Sequence, residues 1–112
     1  MTGEGGNLFA APPHGLAAEQ TIALFADANV RIERIVSTGQ ASPPGFWFDQ
    51  DWAEWVLVLA GSARLVIEGE TQARTMHPGD YLLIPAHCRH RVDWTDPERP
   101  TVWLAVHARQ GA

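Results

Sequence analysis

Short runs of apolar residues, each ended by turn-forming residues, follow one another closely from Glu19 towards the end of the chain. Runs of this kind are typical of β-strands, and none of them sustains the 3.6-residue period of a helix. The pattern predicts strands near residues 20–25, 30–37, 46–49, 54–60, 63–68, 72–76, 81–84, 90–94 and 101–107. We therefore expect an all-β fold built from antiparallel strands, either a sandwich or a barrel.

Gly61 and Ser62 form the best-defined predicted turn. A glycine in the first position of a two-residue loop is typical of a type II′ hairpin. The hairpin would set four pairs of residues opposite one another: Ala60 and Ala63, Val58 and Leu65, Val56 and Ile67, and Glu54 and Gly69. One face of the predicted hairpin is then wholly apolar except for Glu54.

The first 18 residues are rich in Gly, Ala and Pro, and predict a loose N-terminal arm. Residues 19–112 then form the folded β-barrel domain. On the outer side of the 54–60 strand, Trp55, Leu57 and Leu59 form an apolar surface that needs a cover. The arm, a second sheet layer or a second subunit could supply it, and we expect a homodimer.

Composition narrows the classes of partner. The chain has 112 residues, 46% of them hydrophobic, which suits one globular domain. Its formal charge of −5, without a run of Lys or Arg, argues against nucleic acid or an anionic membrane as partner. Cys88 is the single cysteine, so no internal disulfide can form. No signal peptide and no apolar run of about 18 residues is evident, so we expect a soluble, cytoplasmic protein.

Three polar residues lie among apolar ones on predicted strands. Glu54 shares strand parity with Val56 and Val58, where an ionised carboxylate needs a cation, a hydrogen-bond donor or a raised pKa. Arg34 shares parity with apolar neighbours, so it either points inward, to pair with Glu54 or an anionic ligand, or extends from the strand end to water. His90 begins an alternating strand. Histidine in such a place is either an ordinary core residue or a ligand.

The chain resembles the cupin superfamily, small β-barrels that carry two short motifs. In the first, Glu54 is followed by six residues and Gly61, which matches the motif's second half. The second motif corresponds to residues 79–90, running from Gly79 through Pro85 to His90, with His87 where the family has a glycine. The resemblance covers roughly residues 30–107. It implies a double-stranded β-helix, or jelly roll, with a ligand pocket inside the barrel.

The resemblance also implies where a metal would bind, and there the chain departs from the family. Cupins usually add two first-motif histidines to the Glu and the second-motif His. Here those positions hold Phe48 and Gln50, or Trp47 and Asp49 at the longer spacing, so a complete three-His, one-Glu site is excluded. What the resemblance leaves is a reduced site for Zn, Ni, Mn or Fe(II), with the candidate ligands Glu54, His90, Gln50, Asp49 and His87.

Two classes of function follow from this pocket. In the first, the protein is a metal-dependent enzyme acting on a small organic molecule, with Glu54 as ligand or base and with Arg34 neutralising the charge of an anionic substrate. In the second, the barrel is a non-catalytic binding or sensor protein whose metal site has degenerated. His107, at the end of the last predicted strand, either reaches the mouth of the barrel or is solvated, and we expect it to be solvated. In the structural alternative to both, Glu54 and His90 simply hydrogen-bond each other or Arg34.

Overall fold

The computed structural model describes residues 3–109, in which eight strands are joined by turns and loops. The strands are β1 (Gln20–Ala26), β2 (Val30–Ser37), β3 (Ala53–Ala60), β4 (Ala63–Ile67), β5 (Arg74–Met76), β6 (Tyr81–Ile84), β7 (His90–Thr95) and β8 (Thr101–Ala108). Within residues 3–109 there is no helix long and apolar enough to cross a membrane.

The strands form two antiparallel sheets, so the predicted all-β antiparallel architecture is confirmed. One sheet has five strands in the order β1-β2-β8-β3-β6, and the other has three in the order β5-β4-β7. Side chains from both sheets meet in one core, in which burial of apolar area is the main stabilising term. The buried core residues are Val56, Val58, Ala63, Leu65, Met76, Ile84, Trp103 and Ala105.

The predicted hairpin at Gly61 and Ser62 is wrong, although the turn itself is tight. Gly61 has φ +80, as the first position of a type II′ turn requires. However, β3 pairs with β6 and β8, whereas β4 pairs with β5 and β7. The turn is therefore a corner at which the chain leaves one sheet and enters the other. On β3 and β4, alternation still identified the inner face, because it does not depend on which strand is the partner.

The predicted strand at 46–49 is also wrong. In this segment only Phe48 forms a β-bridge, pairing with His90 at the start of β7. The Phe48 N–H donates to the His90 carbonyl at 2.7 Å, and the His90 N–H donates back at 3.1 Å. Pro43, Pro44 and Gly45 precede this segment and favour turns over regular pairing. The bridge ties the loop to the strand that carries His90.

The N-terminal arm is held against the chain's own β2. The guanidinium of Arg34 donates to the Ala10 carbonyl at 3.0 Å and lies 3.4 Å from the Leu8 carbonyl. Further along, Gln40 donates to the Leu16 carbonyl at 2.7 Å, and the Leu16 N–H donates to Thr38 at 3.0 Å. These contacts place the arm outside the five-stranded sheet. The boundary at residue 18 stays a prediction.

Candidate functional site

A row of charged residues crosses the inner face of the five-stranded sheet. Arg31 on β2 is opposite His107 on β8, and His107 is in turn opposite Glu54 on β3. Because directly opposed residues in a sheet point to the same side, the three side chains face the barrel interior together. The register of three neighbouring strands thus builds one polar cluster on the wall of the cavity.

The prediction that Arg34 points inward is wrong. On β2 the inner positions are Arg31, Glu33 and Ile35, which line the cavity, while Arg34 faces the arm. The alternation pattern assigned the wrong inner face to β2 because the outer positions of this strand are apolar too. A strand with apolar residues on both faces does not reveal which face is the core. Arg34 therefore neutralises no charge inside the barrel.

Glu54 and His90 come together across the interior, as the sequence predicts. His90 lies on β7 in the three-stranded sheet, and its Nε2 is 3.4 Å from Glu54 Oε1. Only 6% of the His90 side chain and 12% of the Glu54 side chain are exposed. The His90 Nδ1 donates to the Cys88 carbonyl at 2.9 Å, which leaves Nε2 directed at Glu54. The Phe48 ring stacks on the His90 imidazole, with ring centroids 5.3 Å apart.

The surroundings of His90 favour its protonated form. Burial lowers the pKa of His90, but the contact with Glu54, the hydrogen bond to the Cys88 carbonyl and the charge of Glu54 together raise this pKa above its ordinary 6.5. His90 therefore holds its proton to higher pH than an unperturbed histidine, beside an acceptor carboxylate. An imidazolium and a carboxylate in contact form an acid and a base within reach of one substrate.

His107 is the site residue that the sequence interpretation missed. The expectation of a solvated strand end is wrong, because His107 is only 5% exposed. Its Nε2 lies 3.1 Å from Glu33 Oε1 and 3.9 Å from Glu54 Oε2, and its buried Nδ1 has no hydrogen-bond partner. The signal was present in the sequence, since His107 shares strand parity with Trp103. Its place next to the chain end obscured it.

These groups surround a cavity of about 310 Å³, at the small end of the range for ligand pockets. Apolar residues line part of this cavity, and the charged groups described above line the rest. The lining residues are Glu19, Thr21, Arg31, Glu33, Ile35, Phe48, Gln50, Glu54, Val56, Leu65, Ile84, His90, Val92, Trp103 and His107. A molecule bound here would meet an acid–base pair at one side and aromatic rings at another.

Glu19 lies at the rim of this cavity. Part of the residue faces solvent, but its carboxylate accepts a hydrogen bond of 2.8 Å from Ser37, which is fully buried. Ser37 in turn accepts a bond from the Trp103 indole N–H at 3.1 Å. Burial raises the pKa of the Glu19 carboxyl above 4.5; the Ser37 bond lowers it, and the negative charges of Glu54 and Glu33 raise it further.

We expect Glu19→Gln to raise the melting temperature at pH 7.5. A raised carboxyl pKa means that the folded chain binds more protons than the unfolded one, so the wild type loses stability as pH rises from below 4.5 through the folded-state pKa. Glutamine does not ionise and escapes that loss. Thermal unfolding of both proteins between pH 4 and pH 8 measures the difference, which should shrink towards pH 4. An unchanged difference across this range would show that ionisation is not the cause.

The remaining predicted metal ligands do not join Glu54 and His90. Asp49 and His87 pair with each other at 2.9 Å, with side chains 49% and 68% exposed. His87 has φ +60, a left-handed conformation that suits the glycine of the family motif and here turns the imidazole outward. Gln50 does line the cavity. The structure thus brings three of the five predicted ligands to the interior.

This donor set does not fit a resident metal ion of the cupin type. Metal sites in enzymes use three or more protein ligands, and a ligating histidine normally donates its other N–H to an acceptor. His90 meets the second condition, whereas the Nδ1 of His107 has no partner. Across residues 3–109, no three His, Cys, Asp or Glu side chains come together in a way that could hold a metal. We therefore derive no chemistry from a metal ion.

Comparison with known proteins agrees with this architecture. The family model of the cupin domain matches residues 34–107. A protein from Ralstonia eutropha JMP134, described as "a putative mannose-6-phosphate isomerase", is 55% identical over 96% of this chain and 100% of its own, with a TM-score of 0.94. A search of curated proteins finds no match.

More distant structures share the fold alone. A cupin superfamily protein from Desulfitobacterium hafniense DCB-2 is 19% identical, with a TM-score of 0.70 over 84% of this chain and 80% of its own. An RmlC-like cupin with a double-stranded β-helix fold from Methanocaldococcus jannaschii is 15% identical, with a TM-score of 0.67 over 84% and 83%. The predicted jelly roll is confirmed, and the chain belongs to the cupin superfamily.

Proposed function

We propose that this protein is an enzyme that moves protons on a small organic molecule held inside the barrel, with Glu54 as base and His90 as acid. The observation that carries the proposal is the buried contact of 3.4 Å between these two side chains on the cavity wall. Catalytic acids and bases are tuned by burial and by a charged neighbour, and His90 has both. The imidazole is also held in place by the Cys88 carbonyl and the Phe48 ring.

The reaction class we propose is isomerisation of a hydroxycarbonyl compound. The name given to the Ralstonia protein, 55% identical to this chain, supports it. In such a reaction Glu54 takes the proton from the carbon next to the carbonyl, and the C–H electron pair forms the C=C bond of an enediol. His90 protonates the carbonyl oxygen at the same time. Glu54 then returns its proton to the former carbonyl carbon. The hydroxyl group on the carbon that was deprotonated gives its proton to the imidazole, and its O–H electron pair forms the new C=O bond, which completes the isomerisation.

The test follows deuterium incorporation from D2O by proton NMR, with EDTA present. The panel is one sugar scaffold in three charge states: mannosamine, mannose and mannose 6-phosphate. We expect the parent protein to exchange the C2 proton of at least one sugar, and Glu54→Gln to exchange it far more slowly. Exchange of no sugar by the parent, or equal exchange by the variant, would contradict the proposed reaction. Exchange that occurs without EDTA and is lost when EDTA is added would contradict the metal-free mechanism.

A non-catalytic binding or sensor barrel is the second candidate function. The stacking of Phe48 on His90 favours it, because an aromatic ring stands where the family motif has a metal-binding histidine. The two candidates differ in a single measurement. If the protein only binds its ligand, the ligand raises the melting temperature of the protein, but the carbon-bound protons of the ligand do not exchange.

We also propose that the outer side of the five-stranded sheet joins two copies of the chain. Tyr81 and Leu83 on β6 lie beside Leu57 and Trp55 on β3, and Leu83 is 61% exposed. An apolar surface of this kind is typical of an interface. The homodimer remains a prediction that sedimentation can test.

We expect Leu83→Glu to convert a dimer into a monomer, because a charge buried at the interface without a partner opposes association. Sedimentation velocity measures the change. Trp94→Glu is the control, since Trp94 is a partly exposed aromatic residue on the three-stranded sheet. If both variants sediment as the parent does, the outer sheet face is not the interface.

A further inference from the structure

The charges around the cavity are predominantly negative. Three carboxylates line it, from Glu19, Glu33 and Glu54, against one guanidinium, from Arg31. That guanidinium is already engaged, because Arg31 Nε lies 3.2 Å from Glu33 Oε2. His90 likewise faces a carboxylate, that of Glu54. A phosphate or carboxylate ligand would therefore meet more negative than positive groups among the lining residues, and the guanidinium there already contacts a carboxylate.

The hydrogen-bonding groups show a matching imbalance. Two nitrogen donors at the cavity wall are in use: the Trp103 indole bonds to Ser37, and the His90 Nδ1 bonds to the Cys88 carbonyl. Among the carboxylates, Glu19 accepts from Ser37 and Glu33 contacts His107 at 3.1 Å, which leaves Glu54 with the longest contacts. The closest ionisable nitrogens to the Glu54 carboxylate are those of His90 and His107, at 3.4 Å and 3.9 Å, too long for strong hydrogen bonds.

His107 adds a buried ring nitrogen. Its side chain is only 6% exposed and faces the cavity, and its Nδ1 has no hydrogen-bond partner among residues 3–109. In the neutral tautomer that donates from Nε2 to Glu33, Nδ1 carries a lone pair and can accept from a donor. Buried acceptors without donors cost stability, and a ligand that brings N–H groups removes that cost. The cavity therefore favours a ligand that brings hydrogen-bond donors and positive charge.

We propose that the cavity binds a small organic cation with a primary ammonium group. The ammonium would lie among the acceptors of Glu54, Glu19 and His107, and its apolar part against Phe48 and Trp103. Aromatic rings at the wall also favour a cation electrostatically. This inference deepens the proposed function, on which it rests for the choice of site, by naming the charge class of the molecule that enters. It also replaces the anionic substrate that an inward Arg34 would have implied.

Isothermal titration calorimetry of the full chain tests the inference, with EDTA present, using three probes of similar size: butylammonium, 1-butanol and butyrate. We expect butylammonium to bind at least about tenfold more tightly than 1-butanol, since charge complementarity in a partly enclosed site acts over short distances. Butyrate should not bind. Glu19→Gln and Glu54→Gln should each weaken butylammonium binding several-fold, while Glu98→Gln, the same change on an exposed turn, should leave it unchanged.

Several outcomes would overturn the inference. Equal affinity for the three probes, tighter binding of butyrate or mannose 6-phosphate, or an equal loss in Glu98→Gln would each do so. Stoichiometric Zn²⁺ binding in place of butylammonium, measured without EDTA, would show that the carboxylates serve a metal. Butylammonium binding without sugar exchange leaves the ligand class standing and refutes the proposed reaction. Exchange of mannose 6-phosphate without butylammonium binding refutes the ligand class and supports the reaction.

Discussion

Replacing Glu54 with glutamine is expected to lower the turnover of whichever panel sugar the parent exchanges fastest by about 10³-fold, the scale of a positioned acid–base group. The side chain keeps its size and its place opposite His107 on β8. It loses the ability to accept a proton. Deuterium exchange followed by NMR measures the rate, and the affinity for butylammonium should fall in the same variant.

The pH dependence gives this prediction a second readout. In the parent, the raised pKa of His90 keeps the imidazolium to higher pH than in an ordinary histidine, and the rate should fall as pH rises through that pKa. Glu54→Gln removes the charge that raises the pKa, so the falling limb should move to lower pH. Glu98→Gln is the matched control with unchanged rate and profile. A Glu54→Gln enzyme that keeps the parent profile would show that the pair does not act together.

Replacing Gly61 with alanine is expected to lower the free energy of unfolding by about 3 kcal/mol or more, from backbone strain and overpacking together. Gly61 has φ +80, and an added Cβ would lie 2.6 Å from the Thr101 Cα and 2.7 Å from the Pro100 carbonyl oxygen. Both obstacles are backbone, so neither can rotate away. This corner also joins the two sheets, where Ser62 and Thr101 hydrogen-bond each other.

Gly69→Ala separates the effect of backbone strain from the effect of overpacking. Gly69 also has a positive φ, +92, but an added Cβ there would meet nothing within 4 Å. That variant should lose only about 1–2 kcal/mol, the cost of a left-handed conformation for a residue with a side chain. Urea unfolding of parent and variants gives both values. Equal losses in the two variants would show that the contact with the Thr101 segment is not what Gly61 protects.

Much of the fold could be predicted from the sequence because strand formation follows local patterning. Alternation and turn residues located all eight strands to within two residues at their ends, and predicted one further strand, at 46–49, where the structure has a single β-bridge. The motif around Glu54 and His90 predicted that two distant segments meet inside one barrel, and they do. These features survive errors in pairing, since a residue's face depends on its own strand.

The errors in the site have a common physical origin. Arg34 and Arg31 are three residues apart on one strand, and which of them enters the barrel depends on a parity that apolar residues on both faces conceal. His107 joins Glu54 only because β8 lies between β2 and β3, a strand order that no local pattern specifies. Likewise, Asp49 and His87 could be judged as ligands only once their loop directed them outward.

The sequence by itself determined the strands and the turn residues, because these follow from short-range periodicity. That Glu54 and His90 face each other inside the barrel was implied by the resemblance to the cupin motifs. Only the tertiary structure decided which strands are neighbours, and hence which further charges surround that pair. Those charges come from residues far apart in the chain, and their meeting depends on sheet order and register. The predominantly negative cavity is a product of that order.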